Sequence, residues 1–362
     1  MLPTSTFLST PTLAPILNRA ILSVTGSQAS QFLNGLLAAS VPDSPPRPFY
    51  SAFLNPQGRV HCDVFVYTTE DTTTGKTGYL LEYDSSLSKP YPTAESGLIP
   101  PLLSLLKQHV LRSKVKLRDV SEEYKVYATW GAEVDNAFEH LRPWHYAKSG
   151  VIEPMWPKDR WPWGSEYEMI LDRRSSGMGQ RKLIKSSQSL SSNDHDLGEP
   201  SAYLAHRIAH GVPEGIDDIT PHAAFPMDCN LDIMGGLDFR KGCYVGQELT
   251  VRTYHTGMVR KRIFPVMLQG SRPPPRTDGF TEIKATIKQS DEDGQRKPRP
   301  RGTGKLLSTS QSSGLALLRL EHVAGVDRGD VQLNFEDPEG GLRSVTPWWP
   351  PWWPRKPWEG SE

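Results

Sequence analysis

The chain has little sulfur to work with. Three cysteines, Cys62, Cys229 and Cys243, stand among 362 residues. Three is odd and sparse, which argues against a disulfide framework and favours a reducing compartment. No CxxC pair exists, so the chain's own thiolates cannot close a structural zinc site or hold a cluster in the common way. Net charge is absent as well, with 41 Lys plus Arg against 41 Asp plus Glu. A general pull toward nucleic acid needs a basic field, which is missing. No apolar run approaches the length of a transmembrane helix. There is no Walker motif, no GxGxxG fingerprint and no internal repeat. Residues 1–20 are rich in Ser, Thr and Pro with one basic residue, Arg19, and read as neither a secretory signal nor an organelle presequence.

What is present supports a sizeable core. The apolar fraction is 37%, and 30 glycines bring it near the usual figure. The length predicts two or three domains, and 32 prolines predict long connections. Ala20–Val24 reads as a strand broken by Gly26, with Ser27 as cap of a helix whose face is Phe32, Leu33, Leu36 and Leu37. "YSAFLNPQGRVHCDVFVY" reads as a hairpin: Tyr50–Leu54, the turn Asn55-Pro56-Gln57-Gly58, and Arg59–Tyr67. "TGYLLEY" is a third strand and Pro100–Leu111 a helix. "VKLRDVS", "YKVYATWG" and "YEMILD" are further strands. Residues 142–163, crowded with Trp and Pro, read as irregular. Residues 177–200, poor in apolar side chains, read as a surface insertion. "SAYLAHRIAHG" reads as a helix with Gly211 as its C-cap and Ala205, Ile208 and Leu204 inward, and 217–224 as loop. After Val259 several strand-like pieces separated by polar linkers predict a small barrel or sandwich. The tail "TPWWPPWWPRKPWEGSE" holds five of the ten Trp and reads as a strap over an apolar groove or as a peptide-like docking surface. The whole is α+β at the front and all-β from about residue 259.

Candidate chemistry gathers in "LDFRKGCYVGQELTVRTYHTGMVRKRIFPV", residues 237–266. Cys243 reads as a reactive or metal-binding thiol, or as a buried small residue. At a helix start, the backbone N–H groups and Lys241 would favour its thiolate. His255 is the nearest candidate base. Cys243 and His255 are too few for a closed zinc site, and suit a site completed by a partner. Cys62 and Cys229 read as core, with His61 and Cys62 on opposite strand faces. Asp228 and Asp232, four apart, fit one side of a helical turn, where a carboxylate can hold a pterin-like ring. Arg260, Lys261 and Arg262, with Arg252, form a modest basic patch with Arg260 and Arg262 on one face.

The octet Lys241-Gly242-Cys243-Tyr244-Val245-Gly246-Gln247-Glu248 resembles the signature "KGCYxGQE" of the folate-binding-like YgfZ family, related to the T-protein of the glycine cleavage system. "VTGSQASQFLNGL", the hairpin with Asn55, Gly58, Arg59 and Asp63, "RIAHGVPEG", "FPMDCNLD" and "TYHTGMVRKRIFPV" resemble further segments of that family, so the likeness spans most of residues 15–345. The details resemble its mitochondrial iron–sulfur assembly branch, of fungal type. The resemblance implies a three-module ring whose first two modules interleave (1–50 plus 122–217, and 51–121 plus 218–258). A small C-terminal β-barrel (259–345) and a Trp/Pro-rich tail (346–362) follow. It implies a monomeric assembly factor in the mitochondrial matrix rather than an enzyme turning over a small molecule. Implied partners are A-type scaffold proteins, with aconitase-like enzymes and lipoate and biotin synthases as [4Fe–4S] clients. Cys243 would be a thiolate ligand of a [2Fe–2S] or [4Fe–4S] cluster shared with the partner. Asp228, Lys241, Gly242, Tyr244, Gly246, Gln247, Glu248 and Arg252 are the implied cofactor-contact residues. Tetrahydrofolate binding is the weaker implication, since Asp228 stands where many relatives carry glutamate. A one-carbon transferase and a non-catalytic adaptor remain as alternatives.

Overall fold

The computed structural model describes residues 11–42, 45–70, 77–93, 97–131, 142–157, 159–188, 195–270, 281–287, 302–337 and 339–354. Two five-stranded sheets and a closed six-stranded barrel carry the fold. The first sheet runs in the order Met169–Leu171, Gln180–Lys185, Tyr124–Trp130, Thr12–Ile16, Asp196–Leu197. The second runs Phe49–Leu54, Val60–Glu70, Thr77–Asp84, Arg19–Thr25, Lys116–Asp119. Thr12–Ile16 and Arg19–Thr25 are consecutive, yet they pair into different sheets. Residues 17 and 18 therefore make the whole crossover, and Arg19–Thr25 pairs within the second sheet. The expected division at residue 50 groups Arg19–Thr25 with the first module, and its pairing partners here are Thr77–Asp84 and Lys116–Asp119 of the second sheet.

The expected hairpin forms as read, with Gly58 at φ +77° closing its turn. Several local expectations are corrected. Ser27 caps nothing: the helix Ala29–Asn34 starts after Gln28 with no side-chain cap. Within 142–163 the strands Trp144–Tyr146 and Ile152–Pro154 pair as a hairpin. Within 177–200, Gln180–Lys185 is an interior strand of the first sheet, with Arg181 and Leu183 buried; residues 189–194 of that stretch lie outside the described residues. The helix Pro200–Ala209 ends as expected at Gly211, left-handed at φ +68° just past His210, with its N–H donating to the Ile208 carbonyl at 2.9 Å. Its inward face is Tyr203, Arg207 and Ile208, with Ala205 only half-buried. A short helix, Gly215–Asp218, opens the stretch expected as loop.

The barrel closes in the order Lys261–Leu268, Ser313–Arg319, Gly304–Ser310, Glu282–Ile287, Val331–Glu336, Leu342–Pro347. A helix, Leu320–Arg328, begins where the fourth strand-like piece of the sequence was expected to continue. The tail is a strap as far as it is described. Trp349 and Trp353 pack on Phe264 at centroid distances of 4.9 and 5.1 Å, and Trp352 Nε1 donates to the His210 carbonyl at 2.9 Å.

The units meet through buried charge rather than through apolar contact alone. Arg181 of the first sheet donates to Glu82 of the second, and at 2.8 Å to Glu214 in the following loop. Arg19 donates to the same Glu82 at 2.7 Å. Burial alone would raise both carboxyls, but Arg181 with Arg19 holds Glu82 below its usual range, and Arg181 with Arg174 holds Glu214 well below. Arg207 pairs with Asp218, which accepts from the Ser308 backbone N–H of the barrel at 3.0 Å. Removing one partner of such a network strands the other charge in a dry interior. Arg181→Met is therefore expected to cost about 3–5 kcal/mol in urea unfolding. Arg118→Met, which breaks only the exposed pair with Glu123, is expected to cost about 1 kcal/mol or less.

Candidate functional site

The signature lies between the second sheet and the small hairpin. Three of its residues explain how it is held. Lys241 turns inward, and its Nζ donates to the carbonyls of Asn34, Leu37 and Ala39 at 2.8, 2.6 and 3.1 Å. These carbonyls lie at and beyond the end of the helix Ala29–Asn34, where backbone acceptors lack partners and a cation is favoured. Burial pushes the Lys241 pKa down to about 8, so the ammonium still holds its proton at neutral pH. Gly246, at φ +80°, stands directly before the helix Gln247–Thr256. A Cβ there would run into the Asn55 carbonyl and come within 2.8 Å of Leu54 Cβ. A Cβ on Gly58 would lie 2.5 Å from Leu249 Cβ and 3.0 Å from the Gly246 carbonyl. The hairpin turn and the signature thus approach glycine to glycine. Gln247 closes the loop by accepting from the Tyr244 N–H at 3.2 Å, and Tyr244 is buried.

This scaffold leaves Gly242, Cys243, Glu248 and Arg252 exposed. Cys243 sits three residues before the helix-capping glycine, and the Lys241 ammonium points to carbonyls instead. The expected activation of the thiol by a helix start and a neighbouring ammonium is therefore not built here. Cys62 and Cys229 are buried, as core residues should be. His61 is also buried, 3.0 Å from His222 through its Nδ1, and burial lowers it to about 3. Among the described residues no group of three or more His, Cys, Asp or Glu is arranged to hold a metal ion.

Asp228 and Asp232 lie in a run of tight turns, not on an α-helix. They have separate fates. Asp232 receives both terminal nitrogens of Arg262 at 2.8 and 2.7 Å and the Ile152 N–H at 3.0 Å. Arg262 is accordingly buried while Arg260 is exposed, so the expected basic face loses Arg262 to an internal ion pair. Asp228 has no such partner; burial pushes it up to about 6, against the pull of Lys261, Arg262 and Arg59. The neighbouring Phe225 ring is covered by the Arg59 guanidinium, 3.4 Å from its centroid. The Arg59 guanidinium thus already occupies one face of that ring. Asp228 and a half-covered Phe225 do not by themselves make a folate site, and no folate step is assigned to them. Sequence reading missed Glu153 and His145 as parts of this site, and with them the role of Arg240 as their link to the signature loop. The hairpin of Glu153 and His145 was hidden in Trp- and Pro-rich sequence, and a buried glutamate has no local signature.

Residues 260–355 match the family model described as "CAF17, C-terminal beta-barrel domain". The crystal structure of glycine cleavage system aminomethyltransferase T from Bartonella henselae is similar at a TM-score of 0.58 and 13% identity, covering 95% of this chain and 86% of that one. The fold is thus that of aminomethyltransferase T, finished by a CAF17-type barrel. A mitochondrial iron–sulfur cluster assembly factor IBA57 homolog from Coccidioides immitis is 34% identical, covering 93% of this chain and 82% of its own. Those from Cryptococcus neoformans var. neoformans serotype D and Mycosarcoma maydis are 35% and 32% identical, over 87% and 96% of this chain and 85% and 86% of theirs. The chain belongs to the IBA57 family of iron–sulfur cluster assembly factors.

Two substitutions separate scaffold from function. Gly246→Ala is expected to cost about 2–4 kcal/mol, combining left-handed strain with overpacking. Gly242→Ala, whose Cβ meets nothing within 4 Å, is expected to stay within about 0.5 kcal/mol. Thermal melts of both variants check this contrast. Asp228 yields a pH test. A carboxyl raised in the folded state stabilises below its unfolded pKa, and that stability is lost as pH rises through about 6. Asp228→Asn should therefore raise Tm above pH 7, with the gain shrinking as the pH is lowered through 6 toward 4. A gain that is constant with pH would contradict the assignment.

Proposed function

We propose that this protein is a mitochondrial matrix factor for late iron–sulfur protein maturation. In this reading Cys243 supplies one thiolate to a [2Fe–2S] or [4Fe–4S] cluster shared with an A-type scaffold protein. The cluster is cargo, passed on to [4Fe–4S] clients such as aconitase-like enzymes and lipoate synthase. The observation that carries the reading is an exposed, free thiol at the tip of a rigidly anchored loop. Lys241, Gly246 and Gln247 are engaged inside the chain, so the loop's order does not depend on a ligand. A single exposed thiolate cannot complete a cluster's ligand set, and one that is presented without being buried leaves room for ligands from a second protein. The family relationship supports the same role, and its relatives are mitochondrial by name.

The chain acts as a monomer until the scaffold binds. Lys241 and Gly246 serve as positioning residues, and Gly242 keeps the approach to the sulfur clear. The one-carbon transferase alternative is not favoured, since the relatives over most of the chain are named as assembly factors.

The decisive experiment mixes the full chain anaerobically with an A-type scaffold bearing a [2Fe–2S] cluster. Size exclusion with visible absorption follows the product. Wild type should give a coloured heterocomplex. Cys243→Ala, with an unchanged melting temperature, should lose the colour or alter its spectrum. An identical coloured complex with the variant would refute the ligand role.

A further inference from the structure

The hairpin Trp144–Pro154 belongs to neither large sheet. Its register sets His145 opposite Glu153, which puts both side chains on one face. Glu153 is 7% exposed and receives the two terminal nitrogens of Arg240 at 2.9 and 3.2 Å. His145 Nδ1 lies 3.3 Å from the same carboxylate. Arg240 is three residues from Cys243 and begins the signature loop. At the other end of the hairpin, the Val259 N–H donates to the Ser149 carbonyl at 2.8 Å, and Arg262 donates to the Gly150 carbonyl at 3.0 Å. Phe239 of the loop stacks on Tyr254 of the helix Gln247–Thr256, with centroids 4.7 Å apart. Hairpin, signature loop and the end of that helix are therefore one continuous surface, tied at both ends of the hairpin.

Its charge is mostly positive: one exposed carboxylate, Glu248, stands on these elements, and Asp238 is half-buried and accepts from Ser40 and the Arg240 N–H. Lys148, Arg252 and Arg260 are exposed, and the Arg240 side chain is 65% exposed even while paired. His145 and His255 are exposed on the same elements. Glu153 does not offset these cations toward solvent, because its carboxylate is buried and turned to Arg240. Met258, 68% exposed, adds an apolar contact beside the hairpin turn. This asymmetry stands out in a chain with no net charge. A cluster bound by thiolates is anionic, and a cationic surround complements it and the acidic surface of a protein that carries it.

Resting on the assembly reading above, the geometry points to the hairpin Trp144–Pro154 as a docking element, fastened beside Cys243 through Glu153, for an acidic protein surface that delivers an anionic cluster. Lys148 and Arg260 make the electrostatic contact, and the hairpin sets which partner can bring its cluster to the thiol.

The test titrates the full chain with an A-type scaffold loaded with a [2Fe–2S] cluster, at low and at physiological ionic strength. Lys148→Glu/Arg260→Glu is expected to weaken binding about tenfold or more at low salt, and to flatten the salt dependence seen with wild type. Lys148→Gln/Arg260→Gln, which removes charge without reversing it, should fall between the two. Melting temperatures equal to wild type confirm that both are folded. If both double variants bind like wild type while Cys243→Ala loses the cluster, the docking inference is overturned and the assembly reading stands. If wild type itself forms no complex, both are overturned.

Discussion

The architecture depends on the guanidinium of Arg181. It comes from the first sheet, and its two carboxylate partners come from the second sheet and from the loop after the helix Pro200–Ala209. No apolar residue could serve there, because Glu82 and Glu214 would then be buried without a counter-charge. Arg19 adds a second cation to Glu82, and the Arg207–Asp218 pair carries the same logic on to Ser308 of the barrel. A directional, low-dielectric network of this kind fixes relative orientation more sharply than a greasy interface, which tolerates sliding. The site inherits that rigidity, because its glycine contact uses a hairpin of the second sheet and its ammonium clamp uses the helix that follows Arg19–Thr25.

The signature separates into two kinds of residue once its contacts are known. Lys241, Tyr244, Gly246 and Gln247 face inward and build a loop; Cys243 and Gly242 are what that loop presents. A motif of eight residues therefore does not imply eight ligand contacts. Several of its positions are demanded by steric limits between two backbones. That is a different reason for a residue from contact with a cofactor, and only coordinates distinguish the two.

How much was legible follows from where burial agrees with polarity. The hairpin around Asn55–Gly58, the strand Arg19–Thr25 and most barrel strands were readable, because their buried residues are apolar and their turns carry Gly and Pro. The strand Gln180–Lys185 was not, since its most buried side chain is Arg181 and its neighbours in sequence are Ser, Asn and Asp. Hydropathy assigns such a stretch to the surface; pairing with Tyr124–Trp130 puts it inside. The hairpin Trp144–Pro154 escaped for a related reason, as its anchor is a buried glutamate in Trp- and Pro-rich sequence. Of the site, the octet itself was evident. The inward turn of Lys241, the loss of Arg262 to Asp232 and the cover over Phe225 depend on partners up to 207 residues away, beyond the reach of local spacing.

The strap closed by Trp349 and Trp353 bears on the order in which the molecule can be made. The barrel's first strand begins at Lys261, and the strand that pairs with it to close the ring ends at Pro347. Trp352 then reaches back to His210, which lies before the barrel in the chain. During vectorial synthesis, or threading through a translocation pore, the barrel therefore stays open and Phe264 uncovered until residues past 350 have emerged. A nascent chain stalled before that point exposes an unpaired strand edge beside an aromatic groove, the kind of surface that chaperones hold.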